Sequence, residues 1–184
     1  MRVDLPENIQ DPFQELGRHY ASEIVGSAQA FSKTVYAKTT LPLRIFEAAR
    51  VRAAEINGCM VCRAFRAKRD LPDFASKSAD AALPLLDAGD APDEPFYQNI
   101  SDWRNYAGYS DRERIAIELA ERFCTEPQAL AKDEEFWTCA KAVFSDEEIV
   151  ELFHCVASFV ATGRIAHVLG LDLICSIPAI GEAT

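Results

Sequence analysis

Apolar residues recur every three or four positions through most of this chain, and that spacing is what limits the folds it can adopt. Such a period places apolar side chains on one face of an α-helix, whereas a half-buried strand needs strict alternation. One stripe predicts a long amphipathic helix over residues 13–35, and a second predicts a helix over residues 43–56. No segment alternates convincingly, so the sequence predicts an all-α helical bundle.

Local signals mark where several of these helices begin and end. Ser110 and Ser145 are each followed three residues later by glutamate, which is the capping-box pattern of a helix start. Asn57-Gly58 and Gly170 predict left-handed helix ends. Further predictions are helices over residues 59–69 (ending before Pro72), 73–82 and 134–144, and a loop over residues 87–95. Because no linker separates these segments, we expect a single domain over residues 1–184.

Composition and charge exclude several classes of function. The formal net charge is −10 and the isoelectric point about 4.8, which argues against binding to nucleic acid or to an anionic membrane surface. No apolar run has the form of a signal peptide or approaches the roughly 20 residues of a membrane span. We therefore expect a soluble, cytoplasmic protein, in which the six cysteines are reduced thiols rather than a disulfide framework.

Cys59 and Cys62 form the clearest chemical motif, a Cys-x-x-Cys directly after a predicted helix end and at the start of the next helix. Unpaired N–H groups and the helix dipole favour a thiolate at such a position, and two thiols at this spacing can cycle between dithiol and disulfide. On this reasoning Cys59, the nearer to the helix start, has the lower pKa. The simpler alternative is a pair of small core residues.

Residues 41–62 resemble the core of the carboxymuconolactone decarboxylase superfamily, in its alkylhydroperoxidase D (AhpD-like) branch. That pattern has a glutamate twelve residues before the first cysteine of the Cys-x-x-Cys, and Glu47, Cys59 and Cys62 match it. The resemblance implies an AhpD-like helical bundle, usually a trimer or hexamer. It also implies that Cys62 meets the peroxide, that Cys59 resolves it, and that no metal or organic cofactor is needed.

One position departs from the family pattern. Four residues after Cys62, where the family usually has histidine, this chain has Arg66, and Val61 stands where some members carry a second histidine. In the family, glutamate and histidine relay a proton to the second cysteine. Arginine cannot accept a proton near neutral pH. We therefore hypothesise that Arg66 stabilises the Cys62 thiolate by a fixed positive charge instead.

Glu47 has three interpretations. The resemblance makes it a base or a group that orients water. The common alternative is an ion pair with Arg50 or Arg44 on its own helix. The third is a salt bridge with Arg66, which would hold the geometry of the site without moving protons.

His154 and His167 are candidates for the missing histidine. They lie thirteen residues apart on one predicted helix, about 20 Å by helical rise, so both cannot serve one small site. A zinc site that combined Cys59 and Cys62 with such residues as His154 and Cys155 would have no standard ligand spacing. The single cysteines are expected to be core residues: Cys124, Cys139, Cys155 and Cys175.

The leading functional prediction is a thiol-dependent peroxidase or disulfide reductase, which would need a peroxide substrate and an external dithiol or protein reductant. One alternative is a non-catalytic AhpD-like scaffold or small-molecule binder. Another is a lyase or isomerase of the decarboxylase branch, which generally lacks the cysteine pair. A thioredoxin-type site is disfavoured because a helix, not a strand, precedes the motif.

The aromatic-rich residues 96–109 are expected to pack internally or to form a subunit contact.

Overall fold

The computed structural model describes residues 1–6, 9, 11–76 and 83–173, and within these ranges it contains helices and turns but no strand. The helices in chain order are α1 (Pro12–His19), α2 (Ser22–Lys38), α3 (Leu43–Asn57), α4 (Met60–Ala64), α5 (Ala67–Ser76), α6 (Glu94–Gln98), α7 (Asp111–Thr125), α8 (Pro127–Leu130), α9 (Glu134–Val143) and α10 (Asp146–Leu169). The prediction of an all-α fold is confirmed.

Helix α3 is the centre of the bundle and packs chiefly against α7 and α10. Most of its fifteen residues are buried, including small ones such as Ala49 and Ala53 that let neighbouring helices approach closely. Phe46 of α3 meets Phe159 of α10 edge to face, with ring centroids 5.1 Å apart. The end of this central helix leads directly into the Cys-x-x-Cys, so the motif begins inside the fold.

Helix α10 is long and apolar enough to cross a membrane by length and composition alone, with a mean hydropathy of 1.4 in its most apolar window. In the fold it packs against α2, α3 and α7, and Leu152 and Val156 are completely buried there. This is the environment of a core helix in a soluble bundle, which satisfies the same length and composition test.

The helix starts predicted at two serines and the helix ends predicted at two glycines are confirmed. Ser110 and Ser145 each accept a hydrogen bond from the backbone N–H of the glutamate three residues on, and the carboxylate of that glutamate accepts one from the serine N–H. Gly58 and Gly170 end α3 and α10 in the left-handed conformation, with φ of 74° and 73°. Helix α9 also lies where it was expected.

The prediction of one helix over residues 13–35 is wrong, because the chain breaks between α1 and α2. Tyr20 is extended and Ala21 is left-handed with φ 42°, so α1 folds back onto α2. Gln29 of α2 then donates a hydrogen bond of 2.6 Å to the backbone oxygen of Phe13 in α1. The apolar period continues through the break, and alanine carries no signal for a positive φ.

The prediction of a helix over residues 59–69 is also wrong. Helix α4 ends at Ala64, Phe65 is extended, and α5 begins only at Ala67. Pro72 therefore lies in the second turn of α5 rather than beyond its end, where it removes only one backbone hydrogen bond.

The region that follows α5 agrees with expectation in part. Of the helix expected over residues 73–82, residues 73–76 belong to α5 and residues 77–82 lie outside the described part of the chain. The expected loop is present over residues 88–93, between a 3₁₀ turn (Pro84–Asp87) and α6.

The aromatic-rich residues 96–109 are part of the core. Phe96, Trp103 and Tyr109 are each no more than 5% exposed, and Phe96 contacts Tyr109 edge to face at 5.1 Å. These three rings therefore serve internal packing, and a subunit contact through other residues of the segment stays a prediction.

Candidate functional site

Cys59 caps helix α4 with its own sulfur. The Sγ atom accepts a hydrogen bond of 3.3 Å from the backbone N–H of Cys62, in the way that a serine oxygen usually caps a helix. Cys59 is completely buried in a small apolar cluster with Ala166 and Leu171, whereas Cys62 is partly exposed. Both are free thiols. Cys62 is therefore the thiol that a molecule from solvent meets first.

The two thiols titrate in opposite directions. The pKa of Cys59 lies below its ordinary value because the Cys62 thiol donates a hydrogen bond to it, and the Cys62 N–H acts in the same sense against the effect of burial. The pKa of Cys62 is raised because its proton is held in that hydrogen bond, and burial adds to the rise. The lower pKa at Cys59 agrees with the sequence expectation. However, α4 has only five residues, so hydrogen bonds contribute more than a long helix dipole.

Glu47 is completely buried and forms its ion pair with Arg50, three residues later on α3. Arg50 donates from Nε to one carboxylate oxygen and from Nη2 to the other. The hydroxyl of Tyr97 also donates to Glu47 Oε2 at 2.7 Å, and the Ala67 N–H donates to the same oxygen at 3.3 Å. Both oxygens of Glu47 are thus occupied by donors, and neither contacts a cysteine directly.

Arg50 connects this buried pair to the Cys-x-x-Cys segment. Its Nη1 donates to the backbone oxygen of Cys62 at 2.6 Å, and its Nη2 donates to the backbone oxygen of Phe65 at 2.7 Å. Side-chain donors therefore replace those of a continuing helix: Arg50 binds the carbonyls of Cys62 and Phe65, and Arg66 and Arg69 bind the last two carbonyls of α4. Arg50 is also the cation that lowers the Cys62 pKa, although burial and Cys59 outweigh it.

Arg66 lies beyond the end of α4, so it is not on one helix with Cys62, as the predicted helix over residues 59–69 would have placed it. Its guanidinium pairs with Glu94 at 3.1 Å and lies over the ring of Tyr97, 3.8 Å from the centroid. Of the three interpretations of Glu47, the structure has the ion pair with Arg50 and neither a bridge to Arg66 nor one to Arg44, which pairs with Glu113. The thiolate role of Arg66 stays a prediction.

An open cleft of about 350 Å³ lies beside α4. Met60 and Arg63 line it from α4, and Arg66, Glu94 and Tyr97 line it from the chain that follows. Arg66 therefore forms part of the wall of a solvent-filled cleft next to the motif, with its charge balanced by Glu94.

The sequence did not identify Asp172 as a candidate. Its Oδ2 accepts a hydrogen bond from the Met60 N–H at 3.2 Å and lies 3.1 Å from Nδ1 of His167. Of the two candidate histidines, His167 is therefore the one near the motif. His154 is exposed, and its Nδ1 lies 2.7 Å from the Val150 oxygen of its own helix. The helix end predicted at Gly170 indicates a turn between His167 and Asp172. However, no local sequence pattern links these residues to a cysteine more than a hundred residues earlier.

The remaining cysteines agree only in part with the prediction that they are core residues. Cys155 is buried, and burial raises its pKa to about 12. Cys124 is partly buried, whereas Cys139 is exposed on α9, which contradicts the prediction. Cys175 lies outside the described residues. Among the residues that the structure does describe, no three His, Cys, Asp or Glu side chains are grouped so that they could hold a metal ion.

No family model and no curated protein matches this sequence. A solved structure does: a protein of unknown function from Agrobacterium tumefaciens, described as a candidate antioxidant defence protein of the AhpD type. The two structures superpose with a TM-score of 0.60 at 21% sequence identity, over 82% of this chain and 90% of that one. The likeness shows that this chain has an AhpD-like all-helical fold, which confirms that part of the sequence prediction.

Proposed function

We propose that this protein is a thiol-dependent oxidoreductase, a peroxidase or disulfide reductase, in which Cys59 and Cys62 alternate between dithiol and disulfide. The observation that carries the proposal is the hydrogen bond of 3.3 Å from the Cys62 backbone N–H to Cys59 Sγ, which holds the two residues together at the start of α4. A hydrogen-bonded dithiol shares its first negative charge between two sulfurs that are already close. The AhpD-like fold agrees with this function.

The proposed cycle begins at the accessible thiol. Cys59 first loses its proton to solvent, and the Cys59 thiolate then accepts the proton of Cys62. Cys62, now the thiolate, attacks one peroxide oxygen. The O–O bond breaks, the alcohol or water leaves with a proton, and Cys62 becomes a sulfenic acid. The Cys59 sulfur then attacks the Cys62 sulfur, the S–O bond breaks, and the released hydroxide is protonated to water. An external dithiol or protein reductant supplies two electrons and two protons to restore both thiols.

The test is to count thiols before and after one equivalent of peroxide and to locate any disulfide by mass spectrometry. Cys139→Ser is the suitable background, because Cys139 is the exposed thiol that would otherwise react without relation to the motif. We expect rapid formation of a Cys59–Cys62 disulfide that a dithiol reverses, and its loss in Cys59→Ser and in Cys62→Ser. Two thiols that stay reduced would contradict the proposal and would favour a non-catalytic binding protein.

A further inference from the structure

His167 and Asp172 form a carboxylate–imidazole pair beside the buried thiol. We infer that His167 is the proton acceptor for Cys59 when Cys59 closes the disulfide, with Asp172 as its positioning residue. This pair would take the place of the histidine that the chain lacks after Cys62. The inference rests on the proposed function, because it concerns one step of the same cycle.

The orientation of the imidazole follows from its hydrogen bond. A carboxylate can only accept, so the 3.1 Å contact between His167 Nδ1 and Asp172 Oδ2 assigns the ring hydrogen to Nδ1 and leaves Nε2 as the acceptor. Nε2 faces the residue before Cys59: a methyl group added to Gly58 would lie 3.1 Å from it. The His167 side chain is 50% exposed, so a proton taken up at Nε2 can pass on to solvent.

Asp172 fixes this histidine to the start of the motif. Its side chain is only 1% exposed, and Oδ2 is held at 3.2 Å by the N–H of Met60, the residue after Cys59. Its other oxygen, Oδ1, is buried and has no hydrogen-bond partner among the described residues. Burying a carboxylate oxygen without a donor is unfavourable, so this arrangement contributes little to stability and indicates another role.

The charged groups around Cys59 act in opposite directions. Besides the Cys62 thiol, the groups that alter the Cys59 pKa are Asp172, which raises it, and His167, which lowers it. Arg50 on α3 acts on Cys62, and the amino group of Met1 lies beyond them, against Gly170. Asp172 alone would destabilise a Cys59 thiolate by charge repulsion. When His167 is bound to Asp172 and accepts the Cys59 proton, the positive charge on the imidazole offsets that repulsion.

A base is needed at one particular moment. The hydrogen bond from the Cys62 thiol is the largest cause of the low Cys59 pKa, and oxidation of Cys62 to a sulfenic acid removes that thiol donor. His167 Nε2 then accepts the Cys59 proton, and the Cys59 electron pair forms the S–S bond. The S–O bond of Cys62 breaks, and the leaving hydroxide takes a proton to become water. The step uses no further oxidant.

The test compares His167→Gln with His154→Gln, a histidine on the same helix that is exposed and bonded only to its own backbone. Each protein receives one equivalent of hydrogen peroxide, and a cyclic 1,3-dione traps sulfenic acid while the disulfide is followed over time. In His167→Gln we expect a disulfide rate about a hundredfold lower, loss of its pH dependence between pH 5 and 8, and trapped sulfenic acid at Cys62. His154→Gln should behave as wild type.

The outcomes separate the inference from the proposed function. If wild type forms neither sulfenic acid nor disulfide, the proposed function fails. If His167→Gln closes the disulfide at the wild-type rate and with the same pH profile, the inference fails while the function stands. If His167→Gln forms no sulfenic acid at Cys62, the histidine serves the peroxide step and the inference also fails. Asp172→Asn should keep the Met60 contact and yet alter the pH profile, which a purely structural residue would not do.

Discussion

Two buried carboxylates lie near the Cys-x-x-Cys, one on α3 and one in the turn after α10, and they are bonded very differently. Glu47 receives donors on both oxygens, from Arg50, Tyr97 and a backbone N–H. Asp172 is held through one oxygen only, and the other has no partner in the described structure. Glu47, with hydrogen bonds on both carboxylate oxygens, holds the geometry of its surroundings. Asp172, with one oxygen unpaired and a half-exposed histidine as its partner, is better suited to a site where a proton is transferred.

The hydrogen bonds of these two carboxylates indicate roles that differ from those in the family pattern. Glu47 occupies the position of the family glutamate, yet its bonds lead through Arg50 to the backbone oxygen of Cys62. We therefore expect the Glu47 cluster, which comprises Glu47, Arg50 and Tyr97, to determine stability. The His167–Asp172 pair should determine reactivity.

The largest effect is expected from Arg50→Met. This change leaves the Glu47 carboxylate buried without its cation, and breaking a buried ion pair in this way costs about 3–5 kcal/mol of the free energy of unfolding. The matched control is Arg18→Met, because Arg18 forms an ion pair at the same three-residue spacing with Glu15, but is mostly exposed. Urea unfolding measures both. Equal, small changes would show that the Glu47 cluster is not a stabilising element.

A smaller loss is expected from Tyr97→Phe. It removes the hydroxyl that donates to Glu47 Oε2 and should cost about 1.5–3 kcal/mol, the range for a hydrogen bond to a charged group. Tyr109→Phe removes a buried hydroxyl that donates to a neutral carbonyl, so about 1 kcal/mol is expected there. Thermal unfolding of the two variants compares them directly. A larger loss at Tyr109 would contradict the importance given to the Glu47 cluster.

Gly58→Ala should cost about 1–2 kcal/mol, because φ at Gly58 is 74° and the left-handed conformation disfavours a side chain. The added methyl would also push the His167 ring away, so closure of the disulfide should slow at the same time. Gly26→Ala on α2 is the control: its added methyl meets nothing within 4 Å, and alanine in a helix interior should stabilise by about 0.5–1 kcal/mol. Unchanged disulfide kinetics in Gly58→Ala would argue against the position assigned to His167.

Substitutions of His167 and Asp172 are expected to have the smallest effects on stability. They should shift the Cys59 pKa in opposite directions. Removing the histidine by His167→Gln should raise the Cys59 pKa and leave less thiolate at neutral pH, whereas Asp172→Asn should lower it. Cys62→Ala should raise it most, since the Cys62 hydrogen bond is the largest cause of the low value. The thiolate absorbance followed against pH measures each direction. If His167→Gln and Asp172→Asn shifted the Cys59 pKa in the same direction, the opposite effects of these two charged groups on Cys59 would be contradicted.

The sequence predicted what depends on neighbouring residues. The capping boxes at Ser110 and Ser145 and the left-handed ends at Gly58 and Gly170 are local chemistry, and each is found as expected. Helix α10 follows from the same kind of signal, because Ser145 marks its start and Gly170 its end.

The sequence could not predict features imposed by distant partners. The carbonyls at the end of α4 accept from arginine side chains, and one of these, Arg50, comes from α3, a contact that no local pattern encodes. Likewise, the sequence offered both His154 and His167 as candidates, and only the folded chain shows that His167, with Asp172, lies beside the motif. The departure at Arg66 showed that the usual proton relay was absent, but only the folded structure indicates where a substitute lies.

The order of the site along the chain has a consequence for how the protein is made. Met60 and Asp172 are 112 residues apart, and a ribosome that synthesises about 5–20 residues per second takes roughly 6–22 s to cover that distance. During that interval the emerging Cys-x-x-Cys lacks the residues that we infer activate it. If His167 and Asp172 act as we infer, the nascent thiols acquire their full reactivity only when α10 docks, and oxidation before that point is limited.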